Sequence, residues 1–128
     1  MAVARSGVVS LDCGNAKPLA EFWAAMLGGE IVFTSAAAAV VRTGWVAVSA
    51  IEVPAYRPPT WPEPDVPKQI HLDLAVADLQ KAVVESERLG ATLAPEQPAP
   101  EFRRVLFDPA GHPFCLTTQI PAEALSRF

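Results

Sequence analysis

Near the start of the chain, the apolar residues first form a continuous run and then recur at helical spacing. This pattern predicts a strand followed by a helix. Val8–Cys13 is a short apolar and β-branched run, which predicts a strand. Asn15 can then cap a helix that Gly28 ends. Apolar residues of that helix fall at i, i+3, i+4, i+7 and i+8, as on a helix packed against a sheet: Leu19, Phe22, Trp23, Met26 and Leu27.

Three more strands are predicted after this helix, at Glu30–Thr34, Ala38–Arg42 and Trp45–Val53. Thr43-Gly44 is a turn between the last two. Residues 54–68 follow and contain six of the thirteen prolines of the chain. Because proline cannot donate to a β-ladder, this segment predicts a stiff linker and not a central strand.

The same order of elements returns after the linker. Gln69–Val76 predicts a strand, and Asp78 caps a helix that Gly90 ends. Thr92–Ala94 predicts a short strand. Arg103–Phe107 and Phe114–Gln119 then predict a hairpin around a type I turn sequence, Asp-Pro-Ala-Gly, at residues 108–111.

The two halves are therefore predicted to be copies of one unit. Val8 and His71 begin equivalent strands 63 residues apart, and Leu27 and Leu89 end equivalent helices 62 residues apart. We predict an α+β domain over residues 1–128, with two tandem βαβββ modules at about 6–53 and 69–120. Each module leaves one sheet face uncovered by its helix, so the two can form a curved mixed sheet around a cleft.

Composition excludes several functional classes. The chain is 51% hydrophobic and 19% charged, with a net charge of −4 and no basic run, so we expect no nucleic-acid partner. No apolar stretch is long enough for a membrane span. The first residues contain no long apolar segment, so we expect no signal peptide and a cytoplasmic location. Cys13 and Cys115 would then stay reduced, a disulfide between them being the alternative.

Three stretches of the sequence, in this order, resemble the vicinal oxygen chelate superfamily of glyoxalases, bleomycin-resistance proteins and extradiol dioxygenases. They are LDCGNAKPLAEFWAAMLG, HLDLAVADLQKAVVESERLGA and VLFDPAGHPFCLTT. The resemblance is nearest to the small actinobacterial glyoxalase-like domain proteins. It implies paired βαβββ modules and a ligand cleft, and within this superfamily clefts are often completed in a homodimer, which we expect here.

The resemblance also implies four positions for metal ligands, at the first and last strand of each module. His71 matches one position, but Val8 occupies its equivalent in the first module and cannot coordinate a metal. Cys115 stands where the closing strand usually carries Glu, and Glu52 is the remaining carboxylate. We therefore expect no metal cofactor. A divalent ion held by His71, Cys115 and Glu52 is the disfavoured alternative.

Residues on the cleft side of the predicted strands are the candidate ligand contacts. Period-two alternation puts Asp73 beside His71, and Thr117 beside Cys115. The alternative role of His71 and Asp73 is a structural hydrogen bond within the sheet. The alternative role of the Cys115 thiol is packing as a small apolar group. Trp61 lies in the linker, where it can cover the cleft or pack on the outer surface. Trp45 begins a strand and can face either side, and Val8 adds an apolar wall.

Two functional hypotheses follow from these features. In the first, the protein binds a small apolar or aromatic compound in the cleft without a complete metal site. In the second, it is an enzyme of the same superfamily. That enzyme would be a metal-dependent lyase, isomerase or dioxygenase, or a metal-free catalyst with His71 as its acid-base residue. The missing donor at Val8 favours the first hypothesis.

Overall fold

The first of two structural units contains one helix on a four-stranded sheet. In the computed structural model, which describes residues 2–125, this unit ends at Tyr56 and the second begins at Arg57. Its sheet order is β1-β4-β3-β2, with β1 parallel to β4 and the other pairs antiparallel. The elements are β1 (Val9–Cys13), α1 (Ala16–Leu27), β2 (Glu30–Thr34), β3 (Ala38–Arg42) and β4 (Ala47–Glu52).

The second unit repeats this arrangement. Its sheet order is β5-β8-β7-β6, again with one parallel pair, β5 and β8. A short helix, α3 (Ala122–Leu125), follows the repeated elements. Those elements are β5 (Leu72–Ala75), α2 (Leu79–Leu89), β6 (Thr92–Leu93), β7 (Arg103–Phe107) and β8 (Pro113–Thr117).

The predicted α+β class with two βαβββ modules is confirmed, and each unit has its own apolar core. Gly28 ends α1 in the left-handed conformation, with φ 65°. In the first unit, the core includes Leu19, Trp23 and Val41, each no more than 1% exposed. In the second unit, Leu106, Phe114 and Leu116 are buried to the same degree. None of the helices in the described part of the chain is long and apolar enough to cross a membrane.

Several strands are shorter than the sequence predicts, and the largest differences at a strand start are those of β4 and β5. β4 begins at Ala47 because the preceding turn extends through Val46, whose N–H and carbonyl both bond to the Thr43 hydroxyl at 3.0 and 2.7 Å. β5 begins at Leu72, opposite Phe114. The next position on β8 is Pro113, which has no N–H to extend the ladder.

The N-termini of the two helices are capped differently. Asp78 caps α2 as predicted, its Oδ1 accepting from the Lys81 N–H at 3.1 Å. The predicted cap of α1 is wrong in detail, since Asn15 occupies the N-cap position but its side chain makes no capping bond. Glu52, at the end of β4, accepts from the Ala16 N–H at 3.1 Å instead. The carboxylate of a neighbouring strand therefore satisfies one of the exposed amides of α1.

This difference predicts unequal costs for removing the two N-cap side chains. Asp78→Ala should lower the free energy of unfolding by about 1 kcal/mol, because it removes the acceptor for a helix amide. Asn15→Ala should cost clearly less, since no bond is lost. Urea denaturation followed by circular dichroism measures both. An equal loss in the two variants would contradict the assignment of Glu52 as the partner of α1.

Candidate functional site

A cavity of about 210 Å³ lies within the second unit, and its lining includes a histidine, a cysteine, a carboxylate and two cationic side chains. It lies beside strands β5, β7 and β8 and the proline-rich linker that precedes them. Apolar residues form part of its wall: Pro98, Val105, Pro113 and Phe114. The remaining wall is aromatic or polar: Trp61, Lys68, His71, Asp73, Arg103 and Cys115.

His71 and Asp73 form the predicted pair at the edge of the cavity. His71 immediately precedes β5, and Asp73 is the second residue of that strand. Alternation along the strand puts both side chains on one face, while Leu74 is buried on the other. His71 Nε2 lies 3.3 Å from Asp73 Oδ1. The carboxylate therefore orients the imidazole, as is needed for either a binding anchor or an acid-base residue.

Cys115 lies beside this pair because of the sheet register. It is opposite Asp73 on β5 and opposite Val105 on β7. Its neighbours along β8, Phe114 and Leu116, are each 1% exposed, so they belong to the core as predicted while the thiol faces the cavity. Neither Cys115 nor Cys13 forms a disulfide in the described part of the chain.

The environment of Cys115 keeps its thiol protonated. Burial and the charge and hydrogen bond of Asp73 raise its pKa to about 11, against the smaller lowering effect of Arg103 and Lys68. Near neutral pH the sulfur is therefore almost entirely in the thiol form. Because the thiolate is the nucleophile, this environment does not suit Cys115 for nucleophilic catalysis.

Trp61 reaches the cavity because the linker folds back on itself. The Thr60 N–H donates to the Val66 carbonyl at 2.8 Å, and the Thr60 hydroxyl accepts from the Val66 N–H at 3.0 Å. Farther along the linker, Lys68 Nζ lies 5.9 Å from the centroid of the Trp61 ring. The linker thus presents an aromatic face and an ammonium group to the same space.

A close contact also fastens the linker to the β7–β8 turn. Gly111 has φ 89°, and a Cβ built there would lie 2.8 Å from Pro58 Cβ. A side chain at Gly111 would therefore collide with Pro58 as well as being strained. Glycine allows the turn to approach the linker that carries Trp61.

Lys68 and Arg103 are the charged cavity residues that the sequence did not point to. Arg103 begins β7 and lies on the same face as Val105 by period-two alternation. That alternation was visible in the sequence, but its relation to the cavity depends on the pairing of Val105 with Cys115. Lys68 stands at the end of the linker, where no periodic pattern predicts its direction.

Thr117 borders a different space from the other candidates on its sheet. A second cavity of about 500 Å³ in the same unit is lined by Thr117, Phe102 and Gln119, and Asp73 and Arg103 border both cavities. The Thr117 hydroxyl donates to the Phe102 carbonyl at 3.4 Å and accepts from the Gln119 N–H at 3.1 Å. Its contacts are those of a residue that holds the end of β8.

The other three predicted site residues belong to the first unit. Val8 precedes β1 and is 53% exposed, and Trp45 lies in the turn before β4 and is 49% exposed. Glu52 accepts the hydrogen bond from the first amide of α1. Its carboxylate therefore has a structural role that the metal-ligand hypothesis did not consider.

The side chains present do not fit the four-position metal site that the superfamily resemblance implies. Val8 offers no donor, and the Glu52 carboxylate is bonded to a helix. His71, Asp73 and Cys115 offer one donor atom each, all within 4.8 Å of one another. However, Asp73 already contacts His71, and it helps to keep the Cys115 sulfur protonated. In this structure the three side chains contact one another, and Val8 leaves the four-position set incomplete.

Comparison with known proteins gives a family and a fold. The sequence profile described as "Glyoxalase-like domain" matches residues 8–117. No functionally curated protein matches the chain significantly.

Several solved structures share the fold at low sequence identity. The fosfomycin resistance protein FosX from Mesorhizobium loti is 16% identical, with a TM-score of 0.67 over 99% of this chain and 100% of its own. A mutant FosX from Listeria monocytogenes, complexed with manganese(II) and a dihydroxypropylphosphonic acid, is 15% identical, with a TM-score of 0.69 over 99% and 98%. A glyoxalase/bleomycin resistance protein/dioxygenase family enzyme from Burkholderia phytofirmans is 15% identical, with a TM-score of 0.64 over 85% and 94%.

The protonated state of Cys115 can be tested by its reactivity. We expect the alkylation rate of Cys115 to rise with pH through about 11. Asp73→Asn should increase this rate several-fold at pH 8, because removing the negative charge lowers the thiol pKa toward its ordinary value of 9.0. Peptide mapping by mass spectrometry separates Cys115 from the buried Cys13.

Asp65→Asn is the matched control, since it removes an exposed linker carboxylate outside the cavity. An unchanged pH profile in Asp73→Asn would contradict the role of that carboxylate. Added zinc should leave the rate unchanged. Protection of Cys115 by zinc, together with about one metal per chain in protein purified without chelator, would contradict the expectation of a metal-free site.

Proposed function

The chain belongs to the Glyoxalase-like domain family of the vicinal oxygen chelate superfamily, and we propose that it is a small-molecule-binding protein. It holds a small apolar or aromatic compound in the cavity of its second unit, without a complete metal site. The observation that carries this proposal is that Trp61 and an oriented His71 line one cavity together with apolar residues such as Val105 and Pro113. Ligand cavities commonly combine apolar walls with a few fixed polar groups.

His71 serves as the polar anchor of this site. Its side chain is 36% exposed, and the Asp73 contact at 3.3 Å limits its orientation. An imidazole that is oriented before a ligand arrives loses less conformational entropy on binding. The indole of Trp61 supplies apolar area on the linker side, where stacking on an aromatic ligand is worth about 1 kcal/mol.

The favoured role is binding because the side chains for catalysis are incomplete. The Cys115 thiol is protonated near neutral pH, which opposes a thiolate mechanism. The position of Val8 supplies no metal donor. Neither Cys13 nor Cys115 forms a disulfide in the described residues, which supports the cytoplasmic location that we propose, since disulfides are rare in that compartment.

The alternative function is an enzyme of the same superfamily. The His71–Asp73 pair favours this candidate in its metal-free form, because an imidazole oriented by a carboxylate suits general acid-base catalysis. The metal-dependent lyase, isomerase or dioxygenase forms would have to use His71, Asp73 and Cys115 as ligands, since Val8 supplies no donor. Product formation from a bound compound, abolished in His71→Ala, would favour the enzyme over the binding protein.

Ligand binding can be tested through the two residues that carry the proposal. A thermal-shift screen of aromatic and polyketide-like compounds supplies the probes, and hits are titrated against variants. Trp61→Ala should weaken binding about fivefold through faster release, as expected for one stacking contact. His71→Ala should also weaken binding while leaving the melting temperature of the free protein nearly unchanged.

His112→Ala, which removes the other histidine, is the matched control and should bind as the parent does. Hits that bind His71→Ala and Trp61→Ala as tightly as the parent would place the site elsewhere. A large fall in melting temperature in His71→Ala would show that this histidine is structural.

We also propose that the protein is a homodimer, and the exposed apolar edge of the first unit supports this. β2 is an edge strand whose Ile31, Val32 and Phe33 are 36%, 47% and 56% exposed. Exposed apolar edge strands associate unless they are covered. Pairing with a second copy of the chain would bury this surface.

Light scattering at micromolar concentration should therefore give the dimer mass. Phe33→Ser should shift the population toward the monomer, because it removes the most exposed large side chain of β2. Val84→Ser, which changes a 57% exposed residue on α2, is the control and should leave the mass unchanged. A monomer mass for the parent protein would contradict the proposal.

A further inference from the structure

Two cationic side chains of the cavity have no anionic partner. Among residues 2–125, neither the Lys68 ammonium nor the Arg103 guanidinium forms a salt bridge. Arg104, the next residue on β7, differs, since its Nε donates to the Pro100 carbonyl at 2.7 Å. The two cavity cations are thus available to a ligand, and their fields reach the cavity wall, where both act to lower the pKa of Cys115.

The charge of the cavity is positive even when its carboxylate is counted. Lys68 and Arg103 contribute two positive charges, and Asp73 contributes one negative charge. Asp73 is already engaged by His71 at 3.3 Å and interacts with the Cys115 thiol. The remaining surplus is about one positive charge, which matches a monoanion.

The cavity is large enough for one aromatic ring. Its volume is about 210 Å³. An apolar protein cavity of about 150 Å³ accommodates benzene. The space therefore fits a single ring with a small substituent, and Trp61 offers that ring a face.

We propose that the compound bound by this protein is a single-ring aromatic acid, whose carboxylate lies against Lys68 and Arg103 and whose ring contacts Trp61. This inference rests on the proposed binding function and narrows its ligand class from aromatic compounds to aromatic carboxylates. The 5.9 Å separation of Lys68 Nζ from the Trp61 ring puts a cation beside an aromatic surface. In an aromatic acid, the ring can contact Trp61 while the carboxylate binds Lys68. The Arg103 guanidinium adds a planar, bidentate partner for the carboxylate.

The test compares benzoate with its neutral isostere, benzamide, by calorimetric titration of the full-length protein. Benzoate should bind the parent about tenfold more tightly than benzamide, as expected for a charge-assisted hydrogen bond. Arg103→Gln and Lys68→Met should each weaken benzoate binding more than benzamide binding, and so remove most of this preference. Added salt should weaken benzoate more than benzamide, because it screens the cations.

Matched controls separate a local contact from a change in total charge. Arg104→Gln removes the neighbouring guanidinium, and Lys81→Met removes an exposed ammonium on α2; neither residue lines the cavity. Both should keep the preference for benzoate. Equal binding of the two probes by the parent, no binding of benzoate at millimolar concentration, or an equal loss in the controls would overturn the aromatic-acid proposal.

These outcomes also separate this inference from the function on which it rests. If neutral aromatic compounds bind in a manner that depends on His71 and Trp61, but benzoate gains nothing over benzamide, the binding function stands and the aromatic-acid ligand is wrong. If no compound of either screen binds, both proposals are overturned. A benzoate preference that depends on Arg103 and Lys68 supports both.

Discussion

The parallel pairing of β5 with β8 fixes the chemistry of the candidate site. Its register puts Asp73 opposite Cys115 and Leu72 opposite Phe114. Because side chains alternate across a sheet, Phe114 and Leu116 pack in the core while the thiol faces the cavity beside the carboxylate. A slip of one residue would bury Cys115 and expose Phe114. Burial of Phe114 and Leu116 stabilises this register, and the register in turn keeps Asp73 beside Cys115.

The sequence predicted the elements well wherever local signals agreed. The helices at 16–27 and 79–89 were found because apolar periodicity, cap positions and glycine stops pointed to the same residues. The errors at the start of α1 and at the start of β5 arose because a residue distant in sequence determines the local structure there. Asn15 looks like a cap, but Glu52, 37 positions later, supplies the bond to α1. Likewise, β5 is shortened by Pro113, which is remote in sequence and adjacent in the sheet.

The candidate site shows the same division between local and distant information. The proximity of His71 and Asp73 follows from period-two alternation within one strand, so the sequence could predict it. The proximity of this pair to Cys115 was predicted from the family resemblance and the repeat. Lys68 and Arg103 were missed because a linker path and a hairpin register, both non-local, bring them to the cavity. Trp61, unlike these two residues, was identified from the sequence, because it is an aromatic side chain in a proline-rich linker that has no core of its own.

The contacts among His71, Asp73 and Cys115 explain why the cavity favours binding over thiol chemistry. Asp73 interacts on one side with His71 and on the other with Cys115, whose proton it helps to retain. A carboxylate engaged in this way is less available to pair with Lys68 and Arg103. Asp73, which helps to keep the Cys115 thiol protonated, therefore leaves Lys68 and Arg103 able to bind an anionic ligand. Arg103 is exposed and Lys68 is half-buried, so water can solvate both cations in the free protein. An incoming anion therefore gains their attraction without first breaking an internal salt bridge.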